Sequence, residues 1–281
     1  MKAKAKLIAL EGPDGSGKST ITKYLVDKLT SLDIPVRHTR ETGGTPIGNE
    51  LRTICYNKRS DEKLSSVARL LLVYAARIQN IDEVIEPALD SGINVVTDRF
   101  NISTMVYDGI LGKQAALMGQ IEEYLVTRLP DVVIYLDVNP TIAAERMRTR
   151  GKADNNLYKG SLEKAQQIHN AYRTVITIWK SNDVYKDRPV FTVDANQDEA
   201  HVKNQIDLII NAIFNLDGAR PSTDEELKVY YSDPANALEA LNESIALNER
   251  VDAIESLLHT RSVNYITVVS LVDNDLWDQR N

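Results

Sequence analysis

Glu11-Gly12-Pro13-Asp14-Gly15-Ser16-Gly17-Lys18-Ser19-Thr20 follows directly on the apolar run Leu7–Leu10 and opens a helical pattern, Lys18–Leu32. Gly12, Gly17, Lys18 and Ser19 keep the spacing Gly, four residues, then Gly-Lys-Ser. Glycines let such a loop curl until several backbone N–H groups face one phosphate, and the helix that follows adds the positive end of its dipole. Gly12, Asp14, Gly15, Ser16, Gly17, Lys18, Ser19 and Thr20 are thus expected to surround a nucleoside triphosphate. Lys18 would bridge its β- and γ-phosphates, and the Ser19 hydroxyl would be a ligand for Mg²⁺. The strand before the loop and the helix after it are the context this reading requires.

The same alternation continues along the chain. Short runs of β type stand at Leu7–Leu10, Val36–Thr39, Ile93–Thr97, Val132–Asp137 and Val190–Val193. Four of the five are mostly apolar, as strands covered on both faces must be. Between them, Lys18–Leu32, Ser60–Ser91, Gln114–Arg128, Pro140–Arg150, Ser161–Ser181 and Gln197–Leu216 recur at helical spacing. The pattern predicts an α/β fold, a five-stranded parallel sheet flanked by helices with right-handed crossovers, over residues 1–216. In such sheets ligands sit beyond the carboxyl ends of the strands.

Composition narrows the class. The chain has 281 residues and a net charge of −7, and its single cysteine, Cys55, excludes a disulfide framework and a cysteine zinc site. His38, His169, His201 and His259 lack metal-ligand spacing, and Cys55 reads as a small buried thiol. No apolar run reaches the ~18 residues of a membrane span, and the N-terminus does not read as a secretion signal, so a cytoplasmic protein is expected. Residues 1–216 carry 28 basic and 27 acidic side chains, whereas residues 217–281 carry 5 and 13. An acidic extension is therefore expected from Asp217, unsuited to nucleic acid. Within it, Asp233–Arg261 reads as a helix and Tyr265–Val272 as a short strand.

A triphosphate loop alone does not separate kinases from motors and switches. No Asn-Lys-x-Asp guanine signature is present, and no strand ends in the Asp-Glu pair of an ATP-hydrolysing motor. The second and third strands end instead in Arg40 and in Asp98-Arg99. Arginines at strand ends beside a phosphate loop point to a second anionic substrate, and that is the arrangement of a kinase.

Three further segments resemble the thymidylate kinase family. Thr39-Arg40-Glu41-Thr42-Gly43-Gly44-Thr45 is similar to its Thr-Arg-Glu-Pro-Gly-Gly-Thr segment, with Thr42 in place of Pro. Tyr74-Ala75-Ala76-Arg77-Ile78-Gln79 matches its Tyr-Ala-Ala-Arg-x-Gln helix, and Asp98-Arg99-Phe100 with Ser103-Thr104 and Tyr107 resembles its Asp-Arg stretch. The resemblance covers about residues 5–216. It implies Mg²⁺-dependent transfer of the ATP γ-phosphate to a pyrimidine deoxynucleoside monophosphate, dTMP first, by what is commonly a homodimer. It implies that Arg99, helped by Arg40, clamps the acceptor phosphate, so that positioning and charge do most of the catalysis. Asp14 would reach the acceptor's 3′-hydroxyl or a water on Mg²⁺, and Asp98 would support the Mg²⁺ shell or hold Arg99. Arg77 and Thr104 would read the base, and Tyr107 would pack under the sugar.

Two departures bear on the substrate. The family's Phe four residues before the helix arginine is Val73 here, and its Gln-Gly pair after the Tyr is Asp108-Gly109. Both leave open another pyrimidine monophosphate, such as dUMP or 5-hydroxymethyl-dUMP. A flap is expected over about residues 146–160, opening within Glu145-Arg146-Met147-Arg148-Thr149-Arg150-Gly151. The phosphate loop has no arginine of its own and so resembles the family class whose flap arginines supply the transition-state charge; the resemblance implies Arg148 and Arg150 for that role, although the family's further flap arginine is Asn155 or Asn156 here. A rival from another class is a non-catalytic nucleotide-binding protein acting through its acidic extension.

Overall fold

The computed structural model describes residues 4–57, 62–149, 162–181, 185, 187–214 and 216. Its elements, in chain order, are β1 (Leu7–Glu11), α1 (Lys18–Ser31), β2 (Val36–Arg40), α2 (Pro46–Tyr56), α3 (Ser66–Asn80), a π-helical turn (Ile81–Ile85) and α4 (Glu86–Asp90). Then come β3 (Asn94–Asp98), α5 (Asn101–Thr104), a second π-helical turn (Met105–Ile110), α6 (Ala115–Leu125), β4 (Val132–Asp137), α7 (Pro140–Thr149), α8 (Leu162–Ser181), β5 (Val190–Asp194) and α9 (Glu199–Phe214).

The strands form one parallel sheet in the order β2-β3-β1-β4-β5. All five begin and end within a residue of the expected runs. β1 is buried at every position because Leu7, Ile8, Ala9 and Leu10 meet helices on both faces and Glu11 closes the strand. On one face Leu7, Ala9 and Val95 pack against Ile81, Ile85, Ala88 and Phe100. The sheet order reverses at β1, whose neighbours are β3 and β4. Its carboxyl end is therefore the crevice where ligands bind in this architecture.

Two elements differ from expectation. The single helix read over Ser60–Ser91 is α3, a π turn and α4 in succession, within the described residues. Pro87 lacks an N–H, so the turn before it widens, and Glu86 N bonds to Ile81 O, five residues back. The stretch Asn101–Ile110, which has no clear helical period, is nonetheless helical and mostly buried. A boundary between two compact units falls between Ile206 and Asp207, inside α9. The expected helix Asp233–Arg261 and strand Tyr265–Val272 lie outside the described residues.

Candidate functional site

The phosphate loop leaves β1 and is seated on the segment from β4 to α7. Gly15 has φ +87°, and a Cβ there would lie 2.4 Å from the carbonyl oxygen of Ala143 in α7. Gly17 has φ +93° but open space around it, so there the backbone angle alone calls for glycine. Lys18 is buried inside the curl, and its Nζ donates to the carbonyl oxygens of Gly12 and Pro13 at 2.8 and 2.7 Å. Burial first, then the nearby Arg99 charge, hold the Lys18 ammonium down at about 8. An incoming phosphate would oppose both effects.

Arg99 stands just past β3 with φ +70°, a left-handed backbone unusual for a non-glycine residue. Its own N–H bonds to Leu10 O at 2.9 Å. Its Nη1 reaches Gly12 O at 3.1 Å, Ser103 Oγ at 3.0 Å and the Tyr172 hydroxyl at 2.9 Å, while Nη2 pairs with Asp14 Oδ1. The guanidinium lies 5.4 Å over the Tyr107 ring. Beneath it the buried Glu11 carboxylate accepts hydrogen bonds from Phe100 N at 2.8 Å and from Ser103 N and Oγ. The end of β1 thereby fixes the segment that carries Arg99. Burial raises the Glu11 carboxyl, and these donors with Arg99 oppose the rise.

Arg77, 1% exposed, is the most deeply buried cation lining the site. Nε donates to Glu41 Oε2 at 2.7 Å, and Nη2 donates to Thr104 Oγ1 at 2.6 Å. The guanidinium carbon is 5.0 Å from the Tyr74 ring centre and 4.9 Å from that of Phe100. Nη1 lies 3.7 Å from Glu122 Oε1 and makes no hydrogen bond among the described residues. Burial raises the Glu41 carboxyl, which Arg77 opposes, and pushes Glu122 up to about 6. A rigid guanidinium at the cavity wall offers donors and no acceptor, and is suited to a neutral carbonyl oxygen.

These residues line one cavity of about 410 Å³. The loop contributes Asp14, Gly15, Gly17, Lys18 and Ser19, and the end of β3 contributes Asp98 and Arg99. Val73, Arg77, Thr104, Tyr107 and Asp108 are the other predicted residues on this lining. Gly12, Ser16 and Thr20 support the loop from outside that lining. Arg40 is exposed and also lies outside it, with Nη2 3.2 Å from Asn49 Oδ1. Arg148 is exposed in the last turn of α7, while Arg150 and the rest of the expected flap lie outside the described residues.

The cavity also contains residues the sequence reading passed over. Arg52 on α2 donates to Thr42 O at 2.9 Å and lies 5.3 Å over the Tyr56 ring. Arg69 stands eight residues before Arg77 and pairs with Asp108 at 2.5 Å. That spacing, visible in the sequence, places both arginines on one helix face. Outside the cavity lining, Arg146 of the flap segment reaches from α7 to Ala195 O at 2.8 Å and to Gly15 O at 3.5 Å, tying the turn after β5 to the phosphate loop. Among the described residues no group of three or more His, Cys, Asp or Glu is placed to hold a metal ion. Asp98 Oδ1 is a buried carboxylate oxygen that makes no hydrogen bond among them. With Ser19 on the same cavity, this pair fits a cation held mainly by substrate phosphates and water.

A family model described as thymidylate kinase matches residues 10–206. A thymidylate kinase of Francisella tularensis subsp. novicida is 35% identical over 216 residues, 75% of this chain and 98% of that protein. One from Legionella pneumophila strain Paris is 38% identical over 210 residues, 73% of this chain and 93% of its own. The crystal structure of thymidylate kinase from Ehrlichia chaffeensis superposes with a TM-score of 0.55 at 23% identity, covering 74% of this chain and 98% of that one. It shares the fold.

Proposed function

The chain belongs to the thymidylate kinase family and transfers the γ-phosphate of ATP to dTMP, and on that basis we propose which of its residues do what. The observation that carries the assignment is Arg77. It is buried, fixed by Glu41 and Thr104, and lines the cavity that also holds Lys18 and Arg99.

The Arg77 guanidinium donates to O4 of thymine. An arginine has no acceptor, so the 4-amino group of cytosine meets donor with donor, and dCMP is rejected. Thr104 holds the Arg77 fork and faces the same base edge. Tyr107, with Arg99 above its ring and Tyr172 at 6.1 Å edge-on, lies under the sugar. Arg99 clamps the acceptor phosphate, with Arg40 closing from the rim, and Asp14 holds Arg99 until the 3′-hydroxyl takes its place. The acceptor phosphate is already ionised, so no general base is needed. Catalysis is alignment of its oxygen with the γ-phosphorus, plus charge.

On the donor side, Gly12, Gly15, Ser16, Gly17 and Thr20 give the ATP phosphates their cradle at the N-terminus of α1, and Lys18 bridges the β- and γ-phosphates. Ser19 and Asp98 would hold Mg²⁺, which when bound offsets the charge of those phosphates. Arg148 and Arg150 bring further positive charge from the flap. Residues 1–216 form the kinase part, and 217–281 are an appendage to it. Val67 and Leu71, one turn apart on α3 and about half exposed, support a homodimer. No described helix is long and apolar enough to cross a membrane, and with substrates that are free in solution we assign the protein to the cytoplasm, without nucleic-acid or membrane partners. The test is steady-state turnover with dTMP and dCMP on wild type and Arg77→Lys. Loss of base preference in the variant supports the assignment, and an unchanged preference rejects it.

A further inference from the structure

The wall of the cavity next to Arg77 carries a charged pair that transfer to dTMP does not use. Arg69, Val73 and Arg77 stand four residues apart on α3, so they share one helix face, and all three line the cavity. Opposite them Thr104 and Asp108 are also four apart, and both line the cavity. The two elements meet in two rungs. Arg77 Nη2 donates to Thr104 Oγ1, and Arg69 Nη2 lies 2.5 Å from Asp108 Oδ1. Val73, 3% exposed, stands on α3 between those rungs.

The second rung is incompletely satisfied. Asp108 is 3% exposed, yet its Oδ1 makes no hydrogen bond among the described residues despite the ion pair. A buried carboxylate oxygen in that state gains from a directed O–H donor. In a pyrimidine, C5 is the ring neighbour of the carbon that carries O4. N3 is that carbon's other neighbour, and the orientation that turns C5 toward α3 sets the 5-substituent beside Val73, which is small, with the Arg69–Asp108 rung next to it. A methyl group there packs on Val73 but gives Asp108 nothing. A hydroxymethyl group can donate its O–H to Asp108 and accept from Arg69.

Resting on the reading of Arg77 as the O4 contact, we propose that the acceptor pocket also takes 5-hydroxymethyl-dUMP, with Asp108 and Arg69 as the residues that read its hydroxyl. The product is the corresponding diphosphate: the new bond joins the γ-phosphorus to an acceptor phosphate oxygen, and ADP leaves. The test measures kcat/KM on the full chain with dTMP, dUMP and 5-hydroxymethyl-dUMP, and the nucleotide-induced shift in unfolding temperature as a readout independent of turnover. The expected result is a kcat/KM for 5-hydroxymethyl-dUMP at least equal to that for dTMP. Asp108→Asn should lower the ratio of the two about tenfold, the scale of one charge-assisted hydrogen bond. Because that variant leaves Arg69 unpaired, Arg69→Leu with Asp108→Leu is measured beside it; the same fall in the ratio is expected, and a ratio is unaffected by partial loss of folded enzyme. Good turnover of dTMP with 5-hydroxymethyl-dUMP more than about tenfold poorer, or a ratio that neither variant moves, overturns the proposal and leaves the dTMP assignment standing. Absence of dTMP turnover overturns both.

Discussion

Lys18 is the residue on which donor binding turns. Its ammonium is held down at about 8 in the free protein, whereas the ATP-bound site needs the charged form. Above pH 8 the free protein therefore takes up a proton when ATP binds, and affinity must fall as pH rises. The Kd for ATP should be level below about pH 7.5 and then rise by up to about tenfold per unit, as proton linkage requires; calorimetric titration across that range checks it, and a flat profile contradicts it. Folding carries the matching sign. The unfolded chain keeps the ordinary lysine value of 10.5 and binds more protons between about 8 and 10.5. This group's contribution to stability therefore improves over that window. Arg77 makes a second residue-scale case. Arg77→Leu strands Glu41 in the interior without a partner and should cost about 3–5 kcal/mol of stability. Arg77→Lys keeps a charge but loses the fork. Its main effect should be a raised KM for dTMP, with the ATP KM little changed, as initial-rate kinetics would show.

At the scale of elements, the phosphate loop works because it is wedged against α7. Gly15→Ala must push its Cβ into Ala143, while Gly17→Ala meets open space and bears only a backbone penalty of about 1–2 kcal/mol. Gly15→Ala should therefore lose more stability and more ATP affinity than Gly17→Ala, a ranking that thermal unfolding with and without ATP will show. The loop was legible in the sequence because its chemistry is local, held within ten consecutive residues. The strands were legible because apolar side chains on both faces leave continuous runs such as Val132–Leu136. The helix at Asn101–Ile110 was hidden, since burial on several sides removes the period that marks an amphipathic helix. The π turn before Pro87 could have been foreseen only from that proline. Within the site, Arg99 and Arg77 stood out by motif. Tyr172 reaches Arg99 from 73 residues downstream, and nothing in its local sequence marks it. Arg52 belongs to α2, where nothing in the helical stretch around Cys55 marks an arginine for the cavity.

For the whole molecule, the nearly balanced charge of residues 1–216 lets the arginines of one cavity set its field, and the acidic excess lies beyond Leu216. The aligned part of the Francisella relative spans 98% of that protein, and every residue proposed for catalysis precedes Asp217. Ending the chain after Leu216 should leave kcat/KM for dTMP within about threefold, and a larger loss would give the extension a role in catalysis. In solution the protein should have twice its 31.4 kDa chain mass by light scattering, and Leu71→Glu should halve it. The arrangement as a whole is most directly tested by following dTDP and ADP formation from ATP, Mg²⁺ and dTMP, with dCMP and Lys18→Ala as controls. One dTDP per ADP is predicted, with dCMP at least about a hundredfold poorer and Lys18→Ala lower by about three orders of magnitude. ATP that binds without dTDP appearing, or dCMP used as well as dTMP, would contradict it.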